Sequence, residues 1–200
     1  AQQLCSAQSA AVSLTTFAAG TPSVANFTGL WWNSAESGWG MNVSHQGNIA
    51  FATIFTYDAS GEPMWLVMSN GAQQGTSTVY SGELYLARGP AFNAQPFTPI
   101  TAANLRRVGT LTLNFGNSFS GTMIYDVDGV TVTKNISRQL YGSRTALCVA
   151  TTASRASLTN YQDLWWNPSE SGWGLNITHQ DDILFATLFT YDLTGKGMWL

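Results

Sequence analysis

The sequence predicts an all-β protein: an antiparallel up-and-down meander of seven to eight strands over residues 29–142, closed into a barrel, followed by the opening half of a second such unit. Three observations carry this. After Phe27, apolar and polar residues alternate with period two, turn residues separate the alternating runs at hairpin spacing, and the stretch that opens the meander occurs twice. A meander of that size closes most simply into a barrel, because closure removes the unpaired edge strands.

The duplication is direct. Trp31–Leu66 and Trp165–Leu200 align without a gap at an offset of 134 residues and agree at 23 of 36 positions. All eight tryptophans and both histidines fall inside the two copies. The division expected from this is a leader over 1–28 anchored by Cys5, a complete unit over 29–142, a linker over 143–164 carrying Cys148, and the first half of a second unit over 165–200.

Taken in order, residues 1–28 are small and polar, without a helical period. Gly38–Gln46 puts Trp39, Met41, Val43 and His45 on one strand face and Gly40, Asn42, Ser44 and Gln46 on the other. Gly47-Asn48 is a two-residue hairpin signal, replaced by Asp181-Asp182 in the second copy. Ile49–Asp58, Met64–Ser69 and Thr78–Arg88 follow as strands, with Phe51, Phe55 and Tyr57 expected to point inward beside Trp39 and Met41 and fill the barrel. The insertion Gly89–Arg107 carries three prolines. It is expected to close on a short helix, Thr101 as N-cap and Ala102–Arg107 as its turns, and to serve either as a lid or as a packed structural loop. Val108–Phe115, Phe119–Val127 and Val130–Leu140 complete the unit, the last two joined by the type I′ signal Asp128-Gly129.

Composition narrows the function. Charged residues make up 10% of the chain and the net charge is −3, with eight scattered Lys and Arg. That leaves no basic stripe for a phosphate backbone, so nucleic acid is not an expected partner. No apolar run reaches the ~18 residues of a membrane helix. A start at Ala1 without Met or a basic segment reads as a mature secreted chain, and a surface rich in Thr, Ser, Asn and Gly suits an extracellular β protein. Cys5 and Cys148 read either as a mutual disulfide, stabilising by a few kcal/mol, or as half-bonds to a partner outside this chain; the even count in a chain read as secreted favours a disulfide over two buried thiols.

The motif residues each have a plain and a functional reading. Trp31, Trp32 and Trp39, with Trp165, Trp166 and Trp173, read first as core and second as a flat platform for a sugar ring. Gly38 and Gly40 clear a strand face for an approaching ring, Trp31 or Trp32. His45 and His179 read as satisfied, partly buried groups. One His per unit and no neighbouring Cys leave no ligand set for a structural zinc, and no cofactor is expected. Glu36 and Glu170 read as acceptors for backbone amides of their turn; a hydrolase using Glu36 and His45 is the least favoured option. Asn26, Asn42, Asn135 and Asn176 each open an Asn-x-Ser/Thr string.

The run Trp-Trp-Asn-x-x-Glu-Ser-Gly-Trp-Gly-x-Asn-x-x-His-Gln, continued by Phe-Ala-Thr-x-Phe-Thr-Tyr-Asp, resembles a module of uncharacterised secreted bacterial proteins, often in tandem. That resemblance implies an exported bacterial setting and supplies no catalytic residue. The strand order is similar, as architecture only, to lipocalin- and avidin-like barrels. The expected role is a non-catalytic repeat module for adhesion or filament assembly at the cell exterior, with 165–200 expected to be ordered either by self-association with another chain or by further residues of the protein beyond Leu200. The alternative is a module binding a polysaccharide or small apolar ligand through the motif tryptophans, Glu36, His45 and their counterparts.

Overall fold

A computed structural model of the chain describes residues 25–142 and 160–200. Cys5, Cys148 and most of the leader and linker lie outside these residues.

Eight strands run in sequence order: β1 (Gly29–Trp32), β2 (Gly40–Gln46), β3 (Ile49–Tyr57), β4 (Pro63–Gln73), β5 (Val79–Ala87), β6 (Leu105–Phe115), β7 (Ser120–Val127) and β8 (Val130–Arg138). Each pairs antiparallel with the next, and β1 closes on β8 through Trp31 opposite Arg138 and Trp32 opposite Ser137. The meander is therefore a closed eight-stranded barrel. Register shifts in the β3/β4 and β5/β6 pairs supply the extra twist that curving a sheet onto itself requires. Asp128 and Gly129 both take positive φ, 52° and 84°, as a type I′ hairpin between β7 and β8 demands.

The barrel is filled. Trp31, Phe27, Tyr80, Phe115, Met41, Met68, Leu111 and Leu113 are all buried within it. Phe27 and Phe115 stack with centroids 4.0 Å apart, and Trp31 leans on Phe115 at 4.8 Å. This corrects the expected filling. From β3 the inward residues are Ala50, Ala52 and Ile54, whereas Phe55 packs outside the barrel and Tyr57 is exposed. The large rings from β1, β5 and β6 already occupy the lumen, so β3 contributes small side chains there. The expected helix is also shorter: one 3₁₀ turn, Ala102–Asn104, after which Leu105 joins β6 opposite Ala87.

Four further strands, β9 (Asp163–Trp165), β10 (Gly174–Gln180), β11 (Ile183–Tyr191) and β12 (Gly197–Trp199), form an antiparallel sheet in the order β12-β11-β10-β9. They repeat β1 to β4. The repetition also begins earlier than the identical stretch: Asn26 Oδ1 accepts from Thr28 N as Asn160 Oδ1 does from Gln162 N, and Trp31 Nε1 donates to Phe27 O as Trp165 Nε1 does to Tyr161 O.

This sheet is held by the first barrel. Its outer face lies on the outer face of β2 to β4, and equivalent residues exchange places across the junction. Asn42 donates to Thr187 Oγ1 at 3.2 Å, and Asn176 to Thr53 Oγ1 at 3.1 Å. Trp65 Nε1 donates to Thr190 O and Trp199 Nε1 to Thr56 O, each at 2.9 Å. The Phe55 and Trp199 rings meet at 5.3 Å, the Phe189 and Trp65 rings at 5.7 Å, and Phe55 faces Phe189 at 6.3 Å. With an offset of 134, each of these pairs is the mirror of the other under exchange, so the two units meet about a local two-fold axis beside Phe55 and Phe189. The half unit is thus ordered by contact within the chain, where an isolated hairpin would be marginal.

Candidate functional site

The duplicated motif builds a turn before it builds anything else. Asn33 Oδ1 accepts from Ala35 N, and Asn33 O from Glu36 N, each at 3.0 Å; Asn167, Ser169 and Glu170 repeat both bonds. The sequence leads one to expect Glu36 to accept from backbone amides; instead the turn swings its carboxylate back onto Trp39 Nε1 at 3.1 Å and Asn33 Nδ2 at 3.1 Å. Glu170 holds Trp173 Nε1 in the same way at 3.0 Å. Lys134, from β8, closes an ion pair with Glu36 and lies 4.9 Å from the Trp39 ring centroid. That ammonium, by hydrogen bond, holds the Glu36 carboxyl below its ordinary range. One face of Trp39 is therefore covered by Lys134, and Trp31 is sealed inside the barrel. Gly40 does clear space for a ring, but for Phe55, whose atoms would stand 2.3 Å from any Cβ there, and not for Trp31 or Trp32.

His45 sits at the far end of β2 from Glu36, separated by roughly 20 Å of extended chain. The two groups therefore do not converge on one substrate. His45 Nδ1 accepts from Phe27 N at 3.3 Å, while Nε2 meets Gly47 O at 2.9 Å and Tyr80 Oη at 2.8 Å. Burial pushes its imidazole below the ordinary range, only partly offset by the Gly47 carbonyl. His179 has the same pattern, with Tyr161 N at 3.2 Å and Asp181 O at 2.8 Å.

Equivalent residues differ most in exposure. Trp31, Ala50 and Leu66 are 0–2% exposed inside the barrel, whereas their counterparts Trp165, Leu184 and Leu200 are 47%, 51% and 64% exposed. In β10 the usual rule is inverted: polar Asn176, Thr178 and Gln180 are buried against the barrel and apolar Leu175 and Ile177 are half-buried. Among the described residues, nothing closes over the concave face of the half unit, which in the first unit is the lumen. Trp166, at 55%, is exposed beside it.

Residues that pattern reading passed over complete the picture. Arg138 is buried and donates to Thr28 O at 2.7 Å, Asn26 O at 2.9 Å and Ser118 O at 2.8 Å, with its guanidinium 5.1 Å from the Trp31 ring. Burial pushes it down to about 10. A lone Arg at the end of a polar strand carries no periodic signal. Asn42 and Asn176, expected only as Asn-x-Ser/Thr strings, are buried across the junction, where an attached glycan has no room.

Among the described residues, no helix is long and apolar enough to cross a membrane. No family model, curated protein or solved structure matches this chain.

Proposed function

We propose that the chain is a non-catalytic assembly module of the cell exterior that associates with a second copy through the exposed concave face of β9–β12. The observation that carries this reading is the exposure of Trp165 and Leu184 at positions whose counterparts are sealed in the first unit. Contiguous apolar surface of this kind marks an interaction site.

The motif gives catalysis no support, since Glu36 is tied to Lys134 and Trp39 and His45 lies at the other end of its strand. Light scattering after size exclusion, over a hundredfold range of concentration, tests the reading. A dimer that Leu184→Asp converts to monomer is expected. A chain that stays strictly monomeric at the highest concentration overturns it.

A further inference from the structure

The loop from Gly89 to Asn104 is a clamp, held to the second unit by Gly89 N to Gly195 O at 3.2 Å, Phe92 N to Tyr191 O at 2.8 Å and Ile100 N to Ser171 O at 2.8 Å. Where its end meets β4, β5 and the turn before β12, it encloses a cavity of about 580 Å³, next to one of about 360 Å³ that shares Arg88 and Asn104. Neither lies on the concave face of β9–β12 or in the tryptophan motif, although Gly197 of β12 lines the larger.

The larger cavity has a distinct chemistry. Met64, Leu86 and Leu105 supply apolar wall, and three of the chain's eight Lys and Arg stand around it: Arg88, Arg106 and Lys196. Two of these cations are already matched. Arg106 forms a two-toothed pair with Asp128, at 2.6 and 3.1 Å, and Lys196 meets Asp58 at 2.6 Å. Arg88 is exposed, and among the described residues its guanidinium has no ion pair or hydrogen bond. In a chain of net charge −3, an unmatched guanidinium beside apolar wall is an uncommon local excess of positive charge.

We propose that this junction cavity binds a small amphipathic carboxylic acid, its carboxylate on Arg88 and its hydrocarbon body against Met64, Leu86 and Leu105. The guanidinium fork matches a carboxylate in two-toothed geometry, and the volume lies within the roughly 300–1,000 Å³ of ligand sites. An uncharged sugar would leave Arg88 unmatched and set hydroxyls against apolar wall. The site exists only where the two units meet, because Lys196 and Gly197 come from the second and the remaining walls from the first.

Calorimetric titration of the full chain with octanoate below its micellar concentration, with 1-octanol as the uncharged comparison, tests this. One saturable octanoate site is expected, weakened about tenfold or more by Arg88→Ala, by the scale of a charge-assisted hydrogen bond, and weakened less by Arg88→Lys, which keeps the charge but not the two-toothed geometry. Octanol should bind at least about tenfold more weakly than octanoate. Arg107→Ala, a surface cation paired with Glu83, should leave binding unchanged. No saturable binding, equal binding by Arg88→Ala, or loss of binding in Leu184→Asp, which would assign the octanoate to the open sheet, overturns the proposal. The assembly reading is judged separately by the mass of that last variant.

Discussion

His45 shows how a single side chain ties local geometry to stability. Its Nδ1 accepts a backbone N–H, which requires the neutral ring, and burial keeps that ring neutral by lowering its affinity for a proton. The unfolded chain, with a pKa of roughly 6.5 at this residue, binds the proton first as pH falls. Stability from His45 is therefore complete above that value and is lost as pH drops toward the depressed folded value, at no more than about 1.4 kcal/mol per pH unit. Urea midpoints should fall between pH 7 and pH 5.5 in the native chain and stay level in His45→Gln, whose starting stability is lower. The lowered carboxylates Glu36, Asp58 and Glu83 lose their contributions in a separate, more acid window.

At the scale of the strand, period-two alternation states that a strand has two faces and leaves open what covers each. For β2 the reading was sound, since Met41, Val43 and His45 do line the lumen. For β3 it fails because both faces are covered, one by the barrel core and the other in part by the second unit, so apolar residues occur on both. The junction was hidden for a related reason: its contacts run through Asn42, Thr53, Asn176 and Thr187, small polar residues that look like solvated surface. Each Asn-to-Thr bond is buried, so Asn42→Ala and Asn176→Ala should each cost about 1–2 kcal/mol, leaving a hydroxyl without its partner. Because the two bonds occupy equivalent positions, the single costs should match; because Asn42 lies opposite Thr53 and Asn176 opposite Thr187 in their sheets, the bonds are neighbours and the double variant should depart from the simple sum. A large cost for one and none for the other, in urea unfolding, would show that the geometric equivalence is not an energetic one.

For the whole molecule, barrel closure and the repeat were legible because both rest on local signals, hairpin turns and identical strings. The docking of the half unit was not, because it depends on which outer faces meet. Trp65 is the residue on which that docking most depends: buried, in ring contact with Phe189 and Tyr191, and bonded to Thr190 O. Trp65→Ala should remove about 3–5 kcal/mol from the junction. Hydrogen exchange should then show Thr187–Tyr191 losing protection while Leu111 and Leu113 keep theirs; equal loss in both would mean that barrel and half unit unfold as one.

The Lys196–Asp58 contact is among those that the junction's two-fold symmetry does not repeat. Lys196 meets Asp58, but the exchanged positions hold Glu62 and Asp192, two acids. Two first units brought together through this face would therefore set Glu62 against Asp58 on both sides of the axis, and like charges would oppose them. A first unit facing a second unit meets one opposite pair instead. The shared face is thus a nearly symmetric plug with a keyed corner, and the key admits the other repeat of the tandem while turning away a duplicate of the barrel itself.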